Sequence, residues 1–203
     1  MKIVADAYRF LIPLLLIAAL SAFLHQYALA AATAILVLFV LFFFRDPERE
    51  IPAKDGMIVS PADGKVVRIA TGEGNLPVQV SIFLSVFDVH VNRAPIEGRV
   101  TRMERRKGRF RAAFDDAASL ENERNIVDIE GGNQRVEVVL IAGLLARRIV
   151  SWINPGDRLE RGQRIGLIRF GSRVDLFLPQ DVELHIKKGD HVRGGASIIG
   201  KFI

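Results

Sequence analysis

Gly156-Asp157-Arg158-Leu159-Glu160-Arg161-Gly162-Gln163-Arg164-Ile165 returns 33 residues later as Gly189-Asp190-His191-Val192-Arg193-Gly194-Gly195-Ala196-Ser197-Ile198. Gly-Asp opens both pieces, and an apolar residue, a glycine and an isoleucine recur at the same offsets. Each reads as a tight turn feeding a β-strand. A second pair, Ala62-Asp63-Gly64-Lys65-Val66 and Ile96-Glu97-Gly98-Arg99-Val100, repeats an acidic-Gly turn into a strand at a spacing of 34. Between these turns, Lys65–Ile69, Val78–Leu84, Gly98–Met103, Asn125–Ile129, Arg135–Ala142, Arg164–Phe170 and Arg173–Leu178 have the length and apolar content of strands. Only Phe110–Leu120 reads as a helix. The expected fold from residue 46 onward is mainly β: a compact antiparallel β-barrel or sandwich with internal pseudo-symmetry.

The Gly-Asp-x-apolar-x-x-Gly turn resembles that of barrel-sandwich hybrid domains of the lipoyl and biotinyl kind. Their carrier chemistry does not follow, because no lysine here has the setting of an exposed hairpin tip.

Ahead of this region, Phe10–Phe44 contains no Asp, Glu, Lys or Arg over 35 residues. One spanning helix needs about 20 residues, so the run is too long for a single span. It divides at His25-Gln26 into two short apolar arms. Lys2 and Arg9 flank one end, and Arg45 and Arg49 the other. The positive-inside tendency then places both ends in the cytoplasm. Residues 1–45 are expected to form an α-helical membrane hairpin, tight or partly re-entrant, and residues 46–203 the second domain. A signal peptide cleaved after Ala28-Leu29-Ala30 is the alternative, although the apolar residues beyond that cut would still anchor the chain.

The 203 residues are 50% hydrophobic and 25% charged, a balance that excludes a disordered chain. The absence of cysteine excludes disulfides, Cys-ligated metals and a thiolate nucleophile. Four scattered histidines give little material for a metal site, and none is expected. The net charge of +5 suits an anionic membrane or nucleic acid equally.

Three segments can carry chemistry: Ser60-Pro61-Ala62-Asp63-Gly64, Phe87-Asp88-Val89-His90-Val91-Asn92-Arg93-Ala94-Pro95, and Ile168-Arg169-Phe170-Gly171-Ser172-Arg173-Val174-Asp175. Each has a plain reading, as a hairpin turn, a structural histidine and a routine Gly-Ser turn. The third is distinctive because two strand-like runs meet at Gly171-Ser172 alone. A two-residue hairpin is one geometry for that joint. The joint also permits the Ser172 hydroxyl to attack the Gly171 carbonyl, an N→O acyl shift. Elimination and hydrolysis would then leave a pyruvoyl group, an electron sink like pyridoxal phosphate.

Together and in order, these segments and Glu121-Asn122-Glu123-Arg124 resemble the short bacterial and archaeal phosphatidylserine decarboxylases over about residues 45–203. The resemblance implies self-cleavage between Gly171 and Ser172 into a β chain (1–171) and an α chain (172–203). It implies a covalent pyruvate cofactor made from Ser172, and decarboxylation of phosphatidylserine to phosphatidylethanolamine through a Schiff base. By position it assigns catalytic roles to Ser172, His90 and Asp63. Longer members carry a second histidine where this chain has Arg93, and a threonine where it has Arg173. Arg93 is a candidate for holding a carboxylate or phosphate oxygen. The implied partners are phosphatidylserine in an anionic membrane and the two chains of one precursor; a homo-oligomer stays open, and nucleic acid is not expected.

Arg99–Arg111 holds seven basic residues and one Glu. It reads either as a solvated strand face or as an attraction to anionic headgroups. Two other classes of protein compete with this reading. A membrane-anchored adaptor would need a heptad hairpin, which is absent, and a pyruvoyl enzyme acting on a free amino acid gives no reason for the anchor.

Overall fold

A computed structural model describes residues 2–71, 77–108, 122–143, 148–169 and 172–203. Phe110–Leu120, Glu121, Phe170 and Gly171 lie outside the described residues. The chain divides into two compact units, Met1–Glu48 and Arg49–Ile203.

In the first unit a short strand β1 (Lys2–Ile3) precedes helix α1 (Tyr8–Phe23), and helix α2 (Tyr27–Phe43) precedes β2 (Arg45–Asp46). The helices turn back at His25, whose φ of 56° is the left-handed conformation of a sharp reversal. β1 and β2 pair antiparallel, so both ends of the hairpin meet. With its preceding turn, Ala5–Phe23 forms a helix long and apolar enough to cross a membrane; α2 is apolar but shorter. Ile12, Leu16, Leu20, Phe23, Ile35 and Leu38 are all exposed on these helices, a surface suited to lipid.

The second unit is mainly β. Its strands are β3 (Met57–Val59), β4 (Gly64–Ala70), β5 (Val78–Leu84), β6 (Val91–Arg93), β7 (Gly98–Arg106), β8 (Arg124–Gly131) and β9 (Gln134–Ile141). There follow β10 (Ile149–Ser151), β11 (Arg158–Leu159), β12 (Arg164–Ile168), β13 (Ser172–Leu178), β14 (Val182–Leu184), β15 (His191–Val192) and β16 (Ile198–Phe202). A curled eight-stranded sheet runs β11-β7-β8-β9-β13-β5-β4-β15, flanked by the three-stranded sheets β10-β12-β6 and β14-β16-β3. Alternate residues such as Val66, Ile82, Val127, Val138, Val174 and Leu176 point into one apolar core.

The repeats in the sequence are repeats in space. β15 pairs with the start of β4, His191 opposite Lys65 and Val192 opposite Gly64. β11 pairs with the start of β7 in the same way, Arg158 opposite Arg99 and Leu159 opposite Gly98. Even the register shifts coincide, between Val66 and Arg68 and between Val100 and Arg102. Gly64 and Gly98 are required at these crossings. A Cβ at either would lie 2.1 Å from the Phe83 carbonyl oxygen or 2.4 Å from that of Glu130.

The joint at Gly171-Ser172 is not a hairpin. β12 pairs with β10 and β6, whereas β13 pairs with β5 and β9. The chain therefore passes from one sheet to another at this point, and Ser172 already belongs to the strand.

Candidate active site

Ser172 opens β13 opposite Leu84 of β5. Since Phe83 pairs with both Lys65 and Arg173, the next row of the sheet contains Gly64, Leu84 and Ser172. Asp63, one residue before β4, thus stands at the same end of the sheet as Ser172, two strands or about 10 Å away. The Ser172 side chain is fully buried, and its Oγ has no hydrogen-bond partner among the described residues. An unsatisfied buried hydroxyl costs roughly 1–3 kcal/mol.

His90 reaches this end by the same kind of crossing. The chain leaves β5 at Leu84, turns through Ser85–Val89 and enters β6, which pairs with β12. The Ile168 N–H, at the end of β12, donates to the His90 carbonyl at 3.3 Å. β5 and β13 are paired in one sheet, and β6 and β12, which follow and precede them in the chain, are paired in the other. The connection from β5 to β6 carries His90, and that from β12 to β13 leads into Ser172.

The His90 ring is buried, and its Nδ1 lies 2.9 Å from the backbone oxygen of Asp88. A carbonyl only accepts, so Nδ1 carries the proton and Nε2 the basic lone pair in the neutral ring. The Asp88 carbonyl is itself fixed. The Asp88 carboxylate accepts from the Ser85 N–H at 2.8 Å and from the Ser85 hydroxyl at 2.7 Å, and the Asp88 N–H donates to the Ser85 carbonyl.

Asp63 is held on both oxygens. Arg49 Nη2 donates to Oδ2 and the Gly194 N–H to Oδ1, both at 2.7 Å. Burial raises its pKa above the ordinary aspartate value; Arg49 and the Gly194 N–H oppose that rise without cancelling it, and the charge of Asp88 adds to it. Arg93 is nearly buried, donating its backbone N–H to the Pro61 carbonyl and its Nη1 to the Gly162 carbonyl at 3.0 Å. The structure thus places Arg93 beside the Ser60–Asp63 loop, with one arm of its guanidinium bound to backbone.

Several contributors escape a reading of the sequence. Arg49 looks like a flanking charge of the apolar segment, yet it is the ion-pair partner of Asp63. Ser85 and Asp88 follow a Ser-x-x-Asp turn pattern, a signal that the sequence does carry. Glu123 is largely buried and accepts from Arg105 Nε at 3.1 Å. Arg173 and Asp175 form a buried pair at 2.6 Å, extended by Ser81 and Gln79. The basic stretch on β7 is less available than its composition implies. Arg102 and Arg106 both pair with Glu104, Arg105 with Glu123, and Arg99 bonds the Gly156 carbonyl. Residues 109–111 of that stretch lie outside the described residues.

The structure thus has a buried Ser172 hydroxyl at a strand end, an anchored Asp63 carboxylate at the same end of the sheet, and a buried His90 whose Nδ1 faces the Asp88 carbonyl. Comparison with known proteins identifies the family. The family model for phosphatidylserine decarboxylase matches residues 36–200. A phosphatidylserine decarboxylase proenzyme of Symbiobacterium thermophilum is 49% identical over 98% of this chain and 95% of its own length. Proteins of the same name from Carboxydothermus hydrogenoformans (44% identical) and Solibacter usitatus (46%) align with 97% and 99% of this chain, covering 94% and 97% of theirs. The order of the three segments, the geometry that gathers them at one sheet end and these full-length matches make the chain a member of the phosphatidylserine decarboxylase family.

Proposed function

We propose that this protein decarboxylates phosphatidylserine to phosphatidylethanolamine, after cutting itself between Gly171 and Ser172 to create a pyruvoyl group at residue 172. The observation that carries the reading is the Ser172 hydroxyl, buried without a partner at the point where the chain changes sheets. Such a hydroxyl fits a group that is consumed rather than one that holds the fold. The pyruvoyl group would supply an electron sink for the pair left on the substrate Cα as CO2 departs.

The chain's own residues do the rest. His90 Nε2, aimed by the Asp88 carbonyl, accepts the Ser172 hydroxyl proton during cleavage and returns a proton to the substrate Cα during turnover. Asp63, anchored by Arg49 and Gly194, provides the negative charge that favours the protonated imidazole. The shared sheet end of Asp63 and Ser172, and the strand pairing of β6 with β12 that ends at His90 and Ile168, support these roles. Arg93 serves the site by holding the Pro61 and Gly162 turns together and by setting its positive charge beside the Ser60–Asp63 loop, where it would attract an anionic oxygen of the substrate. The N-terminal hairpin resides in the cell membrane, with Lys2, Arg9 and Arg45 at the cytoplasmic side and the decarboxylase unit on that face.

Intact-mass measurement tests the reading. Wild type should give two chains, the smaller spanning 32 residues from position 172. Ser172→Ala should remain one chain and release no CO2 from phosphatidylserine. His90→Ala should lose turnover by at least about a hundredfold, the scale of general acid–base catalysis. An uncut, active wild type would overturn the proposal.

A further inference from the structure

Within the described part of the second unit, large hydrophobic side chains are exposed at two places, Phe87 and the C-terminal Ile203. Phe87 is 71% exposed. A lone surface hydrophobic is ordinary by itself. The setting of this one is not. It occupies the middle of the Ser85–Asp88 turn, three residues before His90, hence within about 10 Å of it along the chain.

The turn is built to present an apolar tip. Its polar groups are directed inward: the Asp88 carboxylate takes the Ser85 N–H and hydroxyl, and the Phe87 N–H donates to Ser85 Oγ. Val86 and Phe87 are what remains for the outside. The same inward hydrogen bonds fix the Asp88 carbonyl that orients the His90 ring. The tip and the base are therefore one rigid piece.

We propose that Phe87 inserts into the lipid bilayer surface and docks the active-site turn against it. The proposal rests on the phosphatidylserine reading. A diacyl lipid keeps its chains in the hydrocarbon while its headgroup reacts, so the base must work within a few ångströms of the interface. Aromatic side chains favour that depth. The occupant is a bilayer because the same chain carries a helical hairpin whose apolar side chains are exposed. The paired arginines of β7 offer little net charge for the same purpose.

The test uses the full chain reconstituted in phosphatidylcholine vesicles. Phe87→Trp in a Trp152→Phe background reports the tip alone, because Trp152 is the single native tryptophan. Its emission should shift to shorter wavelength relative to the detergent-free aqueous value and be quenched by lipids brominated near the headgroup. Phe87→Ala should lower kcat/KM about ten- to hundredfold on long-chain phosphatidylserine in the bilayer, the equivalent of withdrawing one phenyl side chain. On monomeric dihexanoyl phosphatidylserine the two proteins should match, as should their self-cleavage. A water-exposed, unquenched indole at position 87 in vesicle-bound protein would overturn the proposal. So would an equal loss on both substrates, which would mark Phe87 as part of the turn's fold. If wild type decarboxylates neither lipid, the functional reading fails, while the fluorescence still decides whether the tip inserts.

Discussion

Arg49 sits where a topology rule would count it as one more flanking charge, yet its guanidinium is nearly buried against Asp63. Burial alone drives the Asp63 carboxyl toward its neutral form, and Arg49 is the largest influence opposing this. Removing Arg49 leaves burial and the neighbouring Asp88 charge, both raising the pKa, opposed only by the Gly194 N–H. The acid limb of kcat/KM should therefore move to higher pH in Arg49→Gln. Arg49→Lys, which keeps the charge without the fork, should recover most of the shift. Rate–pH profiles of the three proteins check this; an unmoved acid limb would mean that Asp63 works protonated.

β8 and β9 contain a local conflict, with Asp128 directly opposite Glu137. Asp128 is held by Arg135 at 2.7 Å, but burial and the Asp128 charge together raise the Glu137 pKa. The native state therefore holds the Glu137 proton more firmly than the unfolded chain does. Its contribution to stability is complete below the ordinary glutamate pKa and is lost as pH rises through the raised one. Glu137→Gln cannot ionise, so it should stabilise the protein at neutral pH by about 0.2–1 kcal/mol. The gain should vanish at about pH 3, below the ordinary glutamate range, and thermal unfolding at the two pH values measures it. Strand identities such as Val78–Leu84 were legible because residue type and length are local signals. Arg173 and Asp175 alternate with apolar residues along β13, yet both are buried. What covers a sheet face is decided by distant chain, as is the pairing that separates β12 from β13. For the same reason Asp63, His90 and Ser172 were recognisable as motifs, while Arg49 and the Ser85–Asp88 brace were not.

At the scale of the whole molecule, the repeat visible in two ten-residue stretches organises the sheet: β4 with β15 mirrors β7 with β11. Asp63 and Glu97 occupy equivalent turns, and only the first lies at the sheet end where Ser172 begins β13. On the proposed function, the fold would use one half of its symmetry for chemistry and leave the other as scaffold. Cleavage before Ser172 would divide the molecule unevenly. The last 32 residues contain β13, which lies between β5 and β9 and pairs with seven residues of one and five of the other. They also contain β15 and β16, bound to β4 and β3. The small piece should therefore stay in place through gel filtration and separate only in denaturant. After dilution from urea, recovery of native structure should depend on concentration for the cut protein and be independent of it for Ser172→Ala.

The central position of β13 has a consequence for the protein's life history. A strand threaded through the middle of a sheet is easy to place while it is still tethered to its neighbours, and hard to restore once it is a separate peptide. Folding would precede the cut, and the cut would then erase the instructions for folding again. Each active molecule would be a single-use product, replaced by new synthesis after damage rather than repaired by refolding.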